Sequence, residues 1–173
     1  RKESYLQHAQ QLVKTGNAYL AFDTTDTLQG LRETAEQEGG RFIYNWENRN
    51  ALKNSLSLSP AEVDALIESN TPYVIRFKSY SGEQEKTLHM TDKIRGEVTV
   101  DASLLDDKII VKQDGMPTYH LANVVDDHFM EISHVIRGEE WLPSMALHVL
   151  LYEAFGWKAP VFAHVPLILK PTG

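Results

Sequence analysis

A short region in the last third of this sequence carries the side chains best suited to binding a small charged ligand. Tyr119 and Asn123 are four residues apart, so a helix would place both on one face. Arg137 follows the strand-like run 133–136. In open α/β sheets ligands bind at the carboxyl ends of strands, and an arginine there suits bidentate pairing with a carboxylate or phosphate. We therefore predict a ligand site, or half of one, around these three side chains.

The elements that must position this site follow from the neighbouring residues. Asp114-Gly115 is a turn dipeptide, and Pro117 restrains the chain just before Tyr119. The helix predicted to begin there has an apolar side that must be buried, formed by Leu121, Ala122, Val124 and Val125. Glu139-Glu140-Trp141 is predicted to open the next helix, directly after Arg137-Gly138.

Periodicity and turn residues predict the elements of the rest of the chain. Helices are expected at 3–14, 25–37, 60–69 and 144–155, and strands at 17–22, 73–78, 85–90, 97–100, 108–112, 133–136 and 161–169. Ser59-Pro-Ala-Glu62 has the residues of a helix N-terminal capping box. Residues 41–57 show no clean period and are predicted to be irregular. The pattern is that of a mixed α+β unit followed by a piece of α/β sheet.

Each candidate residue also has a plainer interpretation. Arg137 could form a salt bridge with Glu139 or Glu140, and the residues alone weigh this equally with ligand binding. Asp126-Asp127-His128 has side chains of metal-ligand type, but consecutive helical residues diverge by about 100°, which favours capping and ion pairing. His134 is interpreted as a core histidine, and His148 could face either way.

Composition limits the classes of protein that the chain could belong to. It has 173 residues, a hydrophobic fraction of 42%, no cysteine and a net charge of -7. The length fits one ordinary domain or two small lobes, and disulfides and thiolate metal sites are excluded. No transmembrane or signal-peptide pattern is present, so we expect a cytoplasmic protein without a membrane partner. The acidic balance does not suggest a nucleic-acid binder, unless positive charge is gathered on one face.

The region around Tyr119 and Arg137 resembles the bacterial-type glutamyl-tRNA synthetases, which are class I aminoacyl-tRNA synthetases. The resemblance lies in Pro117-Thr-Tyr-His-Leu-Ala-Asn-Val-Val-Asp-Asp-His128 and His134-Val-Ile-Arg-Gly-Glu-Glu-Trp141, and continues in 150–157 and 160–168. Tyr73-Val-Ile-Arg-Phe-Lys78 and Asp92-Lys-Ile-Arg-Gly96 resemble the family's inserted acceptor-binding domain. The resemblance covers essentially the whole chain.

The resemblance implies a fold, a reaction and roles for particular residues. The fold class would be α/β: an α+β insert plus part of a Rossmann-like catalytic domain. The reaction would be activation of L-glutamate with ATP and Mg²⁺, followed by transfer to the acceptor end of tRNA(Glu). The implied roles are glutamate binding by Tyr119, Asn123 and Arg137, ATP binding by Glu140 and Trp141, and tRNA contact by Lys93, Arg95 and Arg76. No catalytic residue is implied, and no zinc is expected because the cysteines that hold it in some members are absent.

The same resemblance suggests how the chain is divided. Residues 1–16 would end the first catalytic half, 17–115 would form the insert, and 116–173 would begin the second catalytic half. The family's His-Ile-Gly-His and Lys-Met-Ser-Lys-Ser-type elements are not found in the sequence. We therefore expect an internal segment that is inactive by itself.

Two other functions stay open from the sequence. One is a paralogue that attaches glutamate to a queuosine base of tRNA, although its insert is shorter and carries zinc-binding cysteines. Glutaminyl-tRNA synthetase is a further relative. The other, from a different class, is a stand-alone RNA-binding or protein-interaction module.

Overall fold

The computed structural model describes residues 1–167 and contains five α-helices and seven strands in that range. The α-helices are α1 (Lys2–Lys14), α2 (Thr25–Gln37), α3 (Pro60–Glu68), α4 (Tyr119–Phe129) and α5 (Met145–Phe155). The strands are β1 (Ala18–Ala21), β2 (Val74–Phe77), β3 (Thr87–Asp92), β4 (Gly96–Asp101), β5 (Ile109–Val111), β6 (His134–Gly138) and β7 (Val161–Val165). Short 3₁₀ helices occupy Arg49–Ala51, Ala102–Leu104 and Glu139–Ser144.

The strands form two sheets, and the second one holds the ligand-site region. The first sheet is antiparallel with the order β1-β2-β5. The second has the order β4-β3-β7-β6, in which β6 and β7 are parallel and β3 and β4 form an antiparallel hairpin. One register pair, Asp92 with Phe162, joins the hairpin to β7. This pairing brings the end of β3 beside the amino half of β7.

A shared core fixes the helices around the second sheet. The fully buried apolar side chains come from α1, α4, α5 and β5, and include Ala9, Leu12, Ile110, Leu121, Val124 and Leu151. The Tyr5 hydroxyl of α1 also donates to the Asp126 carboxylate of α4 at 2.8 Å. Helix α4 is therefore held from two sides, and its first residue, Tyr119, has a fixed place.

Most predicted elements are confirmed with small shifts at their ends, and the α/β fold class is confirmed. The capping box at α3 is present, with the Ser59 side chain accepting from the Glu62 backbone. Strand β3 lies two residues later than predicted, and Arg49–Ala51 adds a helical turn to the irregular segment. The predicted strand at 161–169 ends at Val165, and its residues past 167 lie outside the described residues.

Two further observations bear on how the chain is organised. The β3–β4 hairpin, which belongs to the predicted insert 17–115, shares its sheet with β6 and β7 from 116–173. The boundary at 115 stays a prediction, as does the one at residue 16. Within residues 1–167, no helix has the length and apolar character needed to cross a membrane.

Candidate amino-acid site

Arg137 lies at the centre of the candidate site, next to the end of β6. In the parallel pair β6–β7 it is in register with His164, so the strand pairing itself brings the two side chains together. The Arg137 Nε donates to His164 Nε2 at 2.9 Å. One terminal nitrogen lies 3.4 Å from His148 Nδ1 and 3.5 Å from the Tyr119 hydroxyl. The other, Nη2, is buried and has no hydrogen-bond partner among the described residues.

The salt-bridge alternative for Arg137 is not what the structure shows. No acidic side chain of residues 1–167 forms an ion pair with it. Glu139 instead pairs with Arg95, and its second oxygen accepts from the backbone of Leu167 at 3.3 Å. Because Nε is occupied by His164, the two terminal nitrogens remain as the edge that can pair end-on with a carboxylate.

The side chains that contact Arg137 are hydrogen-bonding groups rather than carboxylates. His148 is 1% exposed, and burial, with Arg137 nearby, lowers its pKa to about 3. Its Nε2 lies 3.1 Å from Nδ1 of His120, whose pKa is lowered by burial and by Lys108 and Arg137. A neutral His148 that accepts from Arg137 at Nδ1 carries its proton on Nε2 and donates it to His120. The arginine thus keeps its positive charge unneutralised.

A buried aspartate orients the other histidine. His164 is fully buried, and its Nδ1 lies 2.7 Å from the Asp92 carboxylate, which is also buried. Burial acts to raise the pKa of Asp92, but hydrogen bonds from His164 and from the backbone of Arg95 and Ile94 outweigh it and lower the pKa to about 2. The ionised carboxylate accepts from Nδ1, which leaves the Nε2 lone pair to accept from Arg137. Sequence reasoning found neither Asp92 nor His164.

Two aromatic rings border the site on its solvent side. The Tyr119 and Trp141 rings lie 4.8 Å apart, and these residues are 45% and 39% exposed. Tyr119 is the first residue of α4 and Trp141 lies in the 3₁₀ helix after β6. Large exposed aromatics beside a half-buried guanidinium make a half-apolar, half-charged recess, which suits a small ligand with an acidic end.

The remaining predicted ligand residues are placed less directly. The Asn123 amide donates to Asp127 at 3.0 Å, one helical turn along α4 from Tyr119. Burial raises the pKa of Asp127. The Glu140 side chain is exposed and folds back over Gly138, where a Cβ would overlap its carboxylate. The structure thus brings Tyr119, Trp141 and Arg137 together.

The whole of the chain, residues 1–173, matches the family model for the catalytic domain of class I tRNA synthetases specific for E and Q, the one-letter codes of glutamate and glutamine. The chain belongs to this family. It is 62% identical over 173 residues to the glutamate–tRNA ligase of Christiangramia forsetii, and 59% identical to that of Flavobacterium psychrophilum. All of the chain is covered in both cases, but only 34% of each relative, so the chain spans about a third of their length.

Solved structures of glutamate–tRNA synthetases also resemble this chain. A crystal structure of glutamate–tRNA synthetase from Elizabethkingia anophelis superposes with a TM-score of 0.93 at 57% identity. A glutamate tRNA ligase from Elizabethkingia meningosepticum, crystallised in complex with its amino acid, gives 0.94 at 57% identity. Each match covers all of this chain and 34% of the solved one.

Two of the basic residues predicted to contact tRNA, Lys93 and Arg95, lie in the same turn but in different environments. Lys93 is exposed in the turn between β3 and β4. Arg95, in the same turn, pairs with Glu139 and donates from Nε to the His164 carbonyl at 3.1 Å, so a phosphate would compete with Glu139 for it.

Two sequence predictions about side-chain exposure are wrong. The predicted tRNA contact of Arg76 requires an exposed side chain, but only 6% of this residue is exposed, because its guanidinium lies 3.9 Å above the Tyr44 ring and donates to the Asp107 carbonyl. It is unsuited to phosphate contact in this conformation. His134, expected in the core, is exposed, because β6 is the edge strand of its sheet within the described residues.

Proposed function

We propose that the chain is the glutamate-recognising part of a glutamate–tRNA ligase, with Arg137 as the residue that pairs with the side-chain carboxylate of L-glutamate. The observation that carries this proposal is the state of Arg137: within residues 1–167 one of its buried nitrogens has no partner, and its other nitrogens face histidine nitrogens and the Tyr119 hydroxyl rather than a carboxylate. A half-buried cation with one desolvated nitrogen and no carboxylate partner among residues 1–167 is costly, so a ligand carboxylate is the group that would satisfy it. The names of the 62% and 59% identical relatives support the same reaction.

Specificity for glutamate follows from the geometry of the guanidinium. Its terminal nitrogens are donors only, and a glutamine amide would present a donor to them. A site that leaves a buried donor facing another donor rejects the isosteric analogue strongly. Tyr119 would border the bound amino acid. Asn123, one helical turn further along α4, would also bind it.

The proposed reaction has two steps. The α-carboxylate of glutamate attacks the α-phosphorus of ATP, and pyrophosphate leaves; a terminal ribose hydroxyl of tRNA(Glu) then attacks the carbonyl carbon of the adenylate, and AMP leaves. A carboxylate is already a nucleophile at neutral pH, so positioning and charge neutralisation would carry the rate. Glu140 and Trp141 would lie beside ATP and its Mg²⁺, Lys93 and Arg95 beside the acceptor end, and the setting would be the cytoplasm.

The experiment that tests this proposal is ATP–pyrophosphate exchange by the full-length protein that carries this chain. Glutamate, glutamine and aspartate are compared, each with and without tRNA, in the unsubstituted protein and in Arg137→Ala. We expect exchange with glutamate that requires tRNA. We also expect a KM for glutamate about 30- to 4,000-fold higher in Arg137→Ala, because removing one partner of a buried charge pair costs about 2–5 kcal/mol. Arg41→Ala, an exposed arginine far along the chain, is the matched control.

The other outcomes point to the two alternatives. Exchange with glutamate that needs no tRNA would favour the queuosine-modifying paralogue. Absence of exchange under every condition would favour a binding module. An Arg137→Ala variant with an unchanged KM for glutamate would remove Arg137 from the amino-acid site.

A further inference from the structure

We propose that Asp92 and His164 are positioning residues, which hold the Arg137 guanidinium in the orientation that presents its terminal nitrogens to the amino-acid carboxylate. This inference rests on the proposed role of Arg137 and assigns a task to two side chains that come from different strands. Neither residue touches the proposed ligand, and both act through Arg137.

The chain of hydrogen bonds runs in one direction only. His164 Nδ1 donates to Asp92 at 2.7 Å, and Arg137 Nε donates to His164 Nε2 at 2.9 Å. A neutral imidazole has one donor and one acceptor nitrogen, so the aspartate sets which nitrogen faces the arginine as an acceptor. The opposite tautomer would point an N–H at the Nε–H of Arg137.

Asp92 is fixed more firmly than its link to His164 alone would require. One carboxylate oxygen accepts from the backbone of Ile94 at 2.9 Å and of Arg95 at 2.8 Å, across the turn of the β3–β4 hairpin. The backbone nitrogen of His164 donates to the same carboxylate at 3.1 and 3.2 Å. The second oxygen is thereby aimed at Nδ1, and the group has no freedom to rotate away.

This arrangement explains why the nearly isosteric asparagine would fail. If its oxygen stays on the turn amides, its NH₂ faces His164 Nδ1, and the imidazole must accept there and carry its proton on Nε2. That tautomer loses the bond to Arg137. If the amide flips instead, the backbone donors of the turn face a donor and lose their acceptor.

Asp92 also has a structural task, and the test must separate the two. It belongs to the one register pair that joins the hairpin to β7. A purely structural residue would weaken folding and every substrate interaction alike. A positioning residue for Arg137 would raise the KM for glutamate and leave the KM for ATP unchanged.

The experiment measures both KM values by pyrophosphate exchange in the full-length protein. The variants are Asp92→Asn, His164→Asn and His164→Gln, with Asp101→Asn as the control, because Asp101 accepts from the Ser103 backbone at the opposite end of the same hairpin. We expect Asp92→Asn and His164→Asn to raise the KM for glutamate about 10- to 100-fold, the usual effect of losing a hydrogen bond to a charged group. His164→Gln can place its carbonyl oxygen where Nε2 lies, so it should remain closer to the unsubstituted protein.

Three results would overturn the inference, and a fourth would instead refute the proposed function. An unchanged KM for glutamate in Asp92→Asn and His164→Asn, with a raised KM in Arg137→Ala, removes the positioning role alone. Equal changes in both KM values mean a structural role only. If the variants do not fold, ¹⁵N NMR of histidine-labelled unsubstituted protein decides, because a protonated Nε2 on His164 is incompatible with the proposal. An unchanged KM in Arg137→Ala would instead refute the proposed function.

Discussion

Burial of His148 should make the stability of this protein depend on pH in a way that can be calculated. Burial is the main cause that lowers its pKa from 6.5 to about 3, and the charge of Arg137 adds to it. Between these two values the unfolded chain binds a proton at this residue and the folded chain does not. Folding stability therefore rises with pH in that window and is lost as the pH falls below about 6.5.

The size of the effect follows from the same two values. Each pH unit in this window is worth about 1.4 kcal/mol, so the contribution of His148 would reach about 5 kcal/mol at the acid end. Two carboxyl groups add pH dependences of their own, and that of Asp107 has the opposite sign. Burial raises the pKa of Asp107 to about 6, which makes stability fall as the pH rises from 3.8 to 6, and the lowered pKa of Asp92 costs stability only below 3.8.

Comparison of two proteins isolates the histidine from those carboxyls. Urea unfolding of the unsubstituted protein and of His148→Gln would be followed by circular dichroism in matched buffers at about pH 6.5, 5.5 and 4.5. These values lie in the window between the unfolded and folded pKa of His148. Asp107 and Asp92 titrate in both, so they cancel in the difference between the two free energies. That difference should change by about 1 kcal/mol in the first pH step, where the unfolded histidine is only partly protonated, and by about 1.3 kcal/mol in the second. The unsubstituted protein should lose stability more steeply toward acid.

A second histidine variant serves as the control. His89 lies on β3 with 61% of its side chain exposed, so His89→Gln controls for the loss of a histidine outside the core. If the His148→Gln curve is parallel to that of the unsubstituted protein, His148 is not held neutral in the folded state. The conclusion that His148 is an uncharged acceptor for Arg137 would then be refuted.

Three stability predictions follow from other parts of the fold, each measured by urea unfolding at pH 7. Ser59→Ala removes the cap of α3 and should cost about 1 kcal/mol, and no loss would mean that water replaces the Ser59–Glu62 bonds. The buried Arg49 lies 3.3 Å from the Asp107 carboxylate. Asp107→Ala removes this counter-charge and should lower the free energy of unfolding by about 3–5 kcal/mol, and a loss below about 1 kcal/mol would contradict the pairing. Leu151→Ala empties a fully buried position in α5 and should cost about 2–5 kcal/mol, whereas an unchanged urea midpoint would show that the core collapses into the space.

Local signals in the sequence were sufficient for much of the fold and for part of the site. The cap of α3, the apolar face of α4 and the four-residue spacing of Tyr119 and Asn123 all act within a few residues, and the structure keeps them. Arg137 could be singled out because it ends a strand. These features depend on hydrogen bonds and periodicity that a short window contains.

The parts that sequence reasoning missed depend on contacts between distant residues. Asp92 and His164 are 72 positions apart and meet only because β3 pairs with β7. His164 is buried on β7 between β3 and β6, and His134 is exposed at the start of β6, the edge strand within residues 1–167. Arg76 is covered by Tyr44 from the irregular segment, which has no period to reveal what it packs on.

The charge balance around Arg137 would suit the carboxylate ligand that we propose for it. Glu139 follows Arg137 by two residues and would be the nearest acidic partner in sequence, but Arg95 from the neighbouring hairpin pairs with it. The two histidines that do touch the guanidinium accept hydrogen bonds without cancelling its charge. A carboxylate in either histidine position would orient the arginine equally well and would neutralise it. Neutral acceptors therefore separate orientation from neutralisation, and the full charge is left for a ligand carboxylate.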